Sequence, residues 1–362
     1  MLHTPFYDNL KTFDDNFDNG PFGAFKNAKP QKTTKPRYTF LGYKINFPFG
    51  IAAGPLPNSK FTKAAFDMGF DVVCYKTQRS VDFPCNEFPN VLFVQTNGDL
   101  TLAKAKKPLI GKLKSTNSIK EFSITNSFGN PSRGPKFWKN DLKKALSGEG
   151  KGQLLIMSIV GTIKKGFADE DYYDDFANTA EIAYKAGVRA IELNLSCPNV
   201  ANEGILCYTP KAVEEICRRV RDRIGNTPIV AKVGYFSKDQ QDLLETIVKK
   251  MAPFVNAISA INTIPAPVVD EKGKQALPGP NRLYSGVCGA GIKWAGLDLV
   301  KRLNKLRKKK GYKYEIIGVG GVMSPHDYAL YKKADADVVM SCTGAMWNPY
   351  LAQNIKDNLS AR

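Results

Sequence analysis

Eight short apolar runs rich in valine and isoleucine recur from about residue 45 onward, separated by segments with helical periodicity. They read INFPFGIAAG, DVVCYKT, QLLIMSIVG, AIELNLS, PIVAKVGYF, VNAISAIN, EIIGVGG and DVVMSCTG. Near-continuous apolar runs of this length suit parallel strands covered on both faces. The intervening segments carry helix punctuation. In TPKAVEEICRRVRDRI, Thr209 can cap, Pro210 fits the first helical position, and Val213, Ile216, Val220 and Ile224 form one apolar stripe. In FADEDYYDDFANTAEIAYKAG the acids crowd the start, where a helix N-terminus favours them, and Gly187 ends the helix. Helix-start electrostatics account for those carboxylates better than a metal site does. Strands alternating with helices predict an α/β fold, a (β/α)8 TIM barrel over residues 41–362, with a doubly wound open sheet as the alternative. Residues 1–40 read as a polar N-terminal extension without periodicity. Residues 80 to about 150, containing EFSITNSFGNPSRG, read as a long insertion after the second strand, and therefore a lid or binding loop.

Composition excludes several classes. No run of about 18 apolar residues occurs, so no membrane span is expected, and the acid-bearing start MLHTPFYDNLKTFDDNFDNG lacks an apolar signal core. The 7 cysteines are scattered and form no C-x-x-C pair, and with only 2 histidines no metal site is expected. Reduced thiols in the cytoplasm are the plain expectation. Scarce histidine also argues against Ser-His-Asp or Cys-His chemistry. The net charge of +18 could attract a polyanion, but its densest run, KRLNKLRKKKGYKY, falls at a helix end where cations suit the dipole. A solvated basic surface is the simpler reading, and nucleic acid is not an expected partner.

In a barrel, catalytic groups lie at the C-terminal ends of the strands. Those ends carry Ala53 and Gly54, Lys76 and Thr77, Asn194 with Ser196 to Asn199, Lys232, Asn262 and Thr263, Gly320 and Gly321, then Thr343 and Gly344. Lys76 and Lys232 each emerge directly from an apolar strand, which suggests a shared anion. GVGGV and SCTGAM each end in small residues before a helix, leaving backbone N–H groups for a phosphate. Alone, a glycine pair is equally a tight turn.

ELNLSCPN, NSFGNPSRG, AKVGYF, INT, GVGGV and SGVCGAGIK together resemble the dihydroorotate dehydrogenases, flavin enzymes of pyrimidine synthesis, over about residues 40 to 355. The resemblance implies FMN across the barrel mouth and a proton-accepting residue on the loop after the fourth strand. Cys197 stands there, as in the soluble, cysteine-base class. It further implies that Lys76, Asn126, Asn194, Asn199, Asn262 and Thr263 bind the substrate. The flavin would be held by Ala53, Gly54, Lys76, Asn126, Asn194, Lys232, Gly286, Gly320, Gly321, Cys342 and Thr343, with Lys232 near its N1 pole. Three positions depart from the family pattern: Asn130 replaces a usual leucine, Ser132 a usual asparagine, and Cys288 a common glycine.

The activity so implied is oxidation of dihydroorotate to orotate, with hydride to FMN and a proton to cysteine. The acceptor would be fumarate or an electron-transfer subunit, and a homodimer is compatible. A dihydropyrimidine dehydrogenase-like domain shares NLSCP, but usually has histidine at the position of Asn199. A dihydrouridine synthase would use the basic charge, yet only about 18 residues follow SCTG, too few for an RNA-binding domain. A non-catalytic flavin-binding barrel would not need the lysines, amides and cysteine. The structural alternative for Cys197 is a small buried hydrophobe.

Overall fold

The computed structural model describes residues 3–31, 35–115, 118, 121–164, 166–196 and 206–360. Eight parallel strands close into a barrel: β1 Phe49–Ile51, β2 Val72–Gln78, β3 Leu154–Ile159, β4 Ile191–Asn194, β5 Ile229–Val233, β6 Ala257–Ala260, β7 Glu315–Val319 and β8 Val338–Ser341. They neighbour one another in chain order, and closure comes where β8 pairs with β1, Met340 opposite Gly50. This is the expected (β/α)8 fold, and the closed sheet rules out the open doubly wound alternative.

Side chains alternate across the barrel wall. Val72, Cys74, Leu154, Ile156, Val230, Ile317 and Met340 pack together as an inner group. Their strand neighbours Val73, Tyr75, Leu155, Met157, Leu193, Ala231 and Val339 belong to the outer group beneath the helices. Both faces are dry, which is why the runs read as continuously apolar. A hairpin of Tyr38–Phe40 and Tyr43–Ile45, turning through Leu41 (φ 51°) and Gly42 (φ 80°), sends Phe40, Leu41 and Ile45 into the inner group. The Leu41 N–H donates to Glu315 Oε2 at 2.7 Å, at the start of β7, so the hairpin closes the end of the barrel opposite the strand C-termini.

The helix Pro210–Ile224 buries Val213, Ile216, Val220 and Ile224 as expected. Thr209 occupies its cap position, but the hydroxyl makes no capping hydrogen bond; Pro210 leaves one fewer N–H to satisfy there. The helix Lys293–Lys310 ends at left-handed Gly311 (φ 69°), and its basic end pairs with acids, Arg307 with Asp337 at 2.6 Å and Lys308 with Asp335 at 2.9 Å.

Two expectations need correction. The segment from residue 80 to 150 is not all insertion, because helix Gly134–Ser147 connects β2 to β3 and packs on helices Ser59–Asp67 and Asp169–Lys185. A second excursion, after β6, supplies strands Ile264–Val269 and Tyr284–Gly289. These join Phe93–Val94, Leu109–Lys112 and Ser123–Asn126 from the first excursion in a small closed sheet. Nor is the N-terminal segment merely polar. It forms helix Phe13–Asn19 and buries Phe6, Tyr7, Phe13, Phe17 and Phe25 in the main core. Arg133 ties it down through Asp14 at 3.2 Å and Asp18 at 3.0 Å.

Candidate active site

Two adjoining spaces open at the C-terminal ends of the strands. One is a largely apolar cleft of about 720 Å³, walled by Val91, Ile124, Ile261, Ile292, Val319 and Met346. The other is a polar pocket of about 440 Å³ that adds Lys76, Thr77, Asn130 and Asn194. Ala53, Gly54, Asn126, Lys232, Asn262 and Thr263 line both. The small closed sheet explains how distant segments meet here. Asn126 pairs with Gly286, whose strand runs antiparallel to the one starting at Ile264, next to Thr263.

Each lysine leaves an inner-facing strand position with its charge in low-dielectric surroundings. Lys76, 4% exposed, donates from Nζ to the Gly54 carbonyl at 3.1 Å and lies 4.5 Å from the Phe128 ring centre. Lys232 is 5% exposed, and its Nζ lies 4.0 Å from Glu192 Oε1. Burial is the largest influence on Lys232 and opposes its ammonium; the Glu192 carboxylate is the largest of the contributions that offset it, and together these hold the amine above the ordinary lysine range. Thiols surround this pair. Burial pushes Cys342 up to about 11 and Cys288 to about 12, so both are neutral at physiological pH.

The amides are ordered by the backbone. Asn262 Nδ2 donates to the Ser196 carbonyl at 2.9 Å, joining the end of β6 to the end of β4. Among the described residues, Asn194 Oδ1, Ser196 Oγ and Ser259 Oγ are buried without a hydrogen-bond partner. Ser259 stands opposite Lys232 in the sheet register, as does Asn194 on the other side. Buried polar atoms normally find partners, and Asn194 lines the polar pocket, so its oxygen is suited to a polar ligand there.

At the other end of the cleft Gly320 (φ 127°) and Gly321 (φ 65°) follow β7. A Cβ on Gly321 would stand 2.6 Å from the Lys293 Cβ, and one on Gly344 would collide with the Val322 carbonyl oxygen. Glycine is required at both, and it lets the backbone approach a bound group closely. Cys342 and Thr343 line the same cleft, and Thr343 Oγ1 donates to Cys288 Sγ at 3.5 Å. Gly286 does not line it. Its missing side chain makes room for Thr263.

Cys197 and Asn199 lie outside the described residues. Tyr7, Val91, Ile124, Phe128 and Met346 line the cleft without having been anticipated. The aromatic spacing of residues 6–25 was the one signal for Tyr7. Ser132 is 3% exposed, accepts from the Arg79 and Gly134 N–H groups and donates to Gln78 Oε1 at 3.0 Å. Its hydroxyl is consumed in holding the loop. Asn130, by contrast, lines the polar pocket.

Comparison with known proteins agrees with this geometry. A family model described as dihydroorotate dehydrogenase matches residues 37–362. A dihydroorotate dehydrogenase of Dictyostelium discoideum is 35% identical over 367 aligned positions, covering 99% of this chain and 98% of that protein. The catalytic subunit of dihydroorotate dehydrogenase B (NAD(+)) of Thermoplasma acidophilum is 32% identical over 167 residues, 46% of this chain and 51% of that protein. Its counterpart in Staphylococcus carnosus is 29% identical over 188 residues, 51% of this chain and 58% of that protein. The match thus spans about half the length of these two subunits.

Proposed function

The chain belongs to the dihydroorotate dehydrogenase family, and we propose that it oxidises (S)-dihydroorotate to orotate in pyrimidine biosynthesis, with FMN in the apolar cleft and the dihydropyrimidine in the polar pocket. One observation carries this reading: two buried lysines and three amides converge where the two spaces meet. The residues fit a flavin. Apolar walls suit a planar ring, Lys232 provides a buried cation, and the glycines after β7 and β8 admit a phosphate to the backbone.

Oxidation turns the C5–C6 single bond of the substrate into a double bond, so C5 gives up a proton and C6 a hydride. When bound, FMN supplies the two-electron acceptor for that hydride. The chain supplies the rest. Cys197, next in sequence to buried Ser196, takes the C5 proton on Sγ. The ordinary cysteine pKa, about 8.5, suits a base near neutrality, and an ammonium close to it would favour the thiolate. Lys232 holds positive charge where electron density accumulates, and Lys76 meets the substrate carboxylate. Asn126, Asn194 and Asn262, with Asn199, each offer a donor and an acceptor to a ring that presents both. The apolar walls exclude water, which strengthens each of these interactions.

A soluble acceptor such as fumarate, or an electron-transfer subunit, then removes the electrons. Among the described residues no helix is long and apolar enough to cross a membrane. The described cysteines are all free thiols, which supports a reducing compartment, the cytoplasm. The test is a side-by-side anaerobic titration of the FMN-loaded protein with dihydroorotate, dihydrouracil and dihydrouridine. Dihydroorotate should bleach the flavin at the lowest concentration. Bleaching by dihydrouridine alone, or by none of the three, would reject the reading.

A further inference from the structure

Glu192 sits where a barrel interior should be apolar. It follows Ile191 on β4, shares the inner face with Asn194, and is 1% exposed. Its neighbours along the strand, Ile191 and Leu193, face the helices. Cys74, which senses its charge, is a neutral buried thiol: burial first, then the Glu192 carboxylate, pushes its pKa well up. Glu192 Oε1 has no hydrogen-bond partner among the described residues, yet it lies 4.0 Å from Lys232 Nζ. The gap exceeds the 2.7–3.2 Å of a direct hydrogen bond, so the two groups meet through charge alone.

Such an arrangement is poor as a stabilising device. A buried ion pair seldom recovers the cost of drying both charges, and an unbonded carboxylate oxygen recovers less. A fold needing only packing would have an aliphatic residue at position 192. What the carboxylate does achieve is specific to Lys232. An ammonium 5% exposed inside a barrel would otherwise shed its proton to escape desolvation. The other groups that could oppose that loss, Cys74, Cys288 and Cys342, are thiols that burial keeps neutral.

We propose that Glu192 is a positioning residue that keeps Lys232 protonated, and so sets the reduction potential of the flavin above it over the whole working pH range. The inference rests on the flavin reading given above. In that reading Lys232 would touch the cofactor, whereas Glu192, which lines neither space, would act only through Lys232. While the lysine stays charged, reducing the flavin needs no extra proton to neutralise it. Without the carboxylate, Lys232 would deprotonate at accessible pH, and the reduced ring would lose its counter-charge.

The experiment measures the midpoint potential of bound FMN against a reference dye, anaerobically, from pH 6 to pH 10. It uses the parent protein, Glu192→Gln and Glu192→Asp. The parent and Glu192→Asp should follow one smooth slope throughout. Glu192→Gln, nearly isosteric, should add a break at alkaline pH, with the potential falling more steeply above it. Its substrate-driven reduction rate should fall about tenfold per pH unit beyond that break, at unchanged KM. A merely structural glutamate predicts weaker FMN retention at every pH and no break. Superimposed profiles for Glu192→Gln and the parent would overturn the proposal. Should Glu192→Gln fail to fold, the Lys232 resonance in the ¹³Cε-lysine-labelled parent decides: protonation persisting above the ordinary lysine pKa supports the proposal, and titration below it refutes it. A parent protein that takes up no FMN would instead refute the flavin reading.

Discussion

Arg79 holds Asn130 by its backbone: the buried guanidinium donates from Nε to the Asn130 carbonyl at 3.0 Å, while its Nη1 reaches the Gly161 carbonyl, beyond the end of β3, at 2.7 Å. Its Nη2 adds the Gly129 carbonyl at 3.3 Å, and its plane stacks 4.0 Å over Phe83. The loop that brings Asn126 to Asn130 to the pocket is thus clamped to the barrel rather than free to swing.

Arg79→Lys should therefore behave almost like Arg79→Ala, because an ammonium cannot reproduce a planar fork of donors. Orphaning these carbonyls should cost about 2–3 kcal/mol of stability. The KM for dihydroorotate should rise in both variants, more than kcat falls. Parental KM in both would show that the clamp does not shape the pocket.

The N-terminal segment is expected to be part of the folded unit although the family match begins at residue 37. Phe6 is fully buried and stacks on Phe25 with ring centres 4.1 Å apart. Phe6→Ala should lower the unfolding free energy by about 3–5 kcal/mol in urea titrations. A loss below about 1 kcal/mol would mean that the segment is only loosely applied to the barrel.

The eight barrel strands were legible because each is largely dry on both faces and so reads as a mostly apolar run. The small closed sheet was not. Its strands are short, one of them contains Pro265 and Pro267, and they acquire their partners from a segment more than a hundred residues away. Phe6, Tyr7 and Phe13 lay among acids and asparagines, which masked a buried face that only the barrel surface completes. Lys76, Lys232, Asn194 and Asn262 could be placed from strand ends alone, whereas Asn126, on the small sheet, came only through the resemblance. Glu192 could have been placed too, since period-two alternation puts it on the same face as Asn194, but a lone acid in a strand carries no signal of its partner.

Burial raises the carboxyl of Asp71 above its unfolded value, against the opposing pull of Lys356 at 3.0 Å. A raised acid gives stability that is complete below the unfolded pKa, about 3.9, and is lost as pH rises through the folded value. Asp71→Asn mimics the protonated form at all pH. The variant should therefore gain on the parent between pH 4 and pH 7 in paired urea titrations. A variant that falls further behind as pH rises would mean that the Lys356 pair outweighs burial.

Cys197→Ala should still load FMN, since in the proposed reading backbone N–H groups and the lysines hold the flavin and the thiol serves the substrate. Its flavin reduction by substrate should slow by about 10² to 10⁴, the usual worth of a positioned base. Cys197→Ser should retain some activity, shifted to higher pH. Reduction of Cys197→Ala at the parental rate would remove the cysteine from the mechanism while leaving the barrel and the cofactor intact.

The most direct measurement is a single-turnover, anaerobic stopped-flow reduction of the FMN-loaded protein by dihydroorotate, with and without deuterium at C6. If this site draws hydride from C6 into a flavin held beside Lys232, the flavin bleaches in one turnover. Orotate then appears mole for mole, and deuterium slows the bleaching several-fold. Bleaching that is indifferent to the isotope and yields no orotate, or a flavin that stays oxidised under saturating dihydroorotate, would contradict the account.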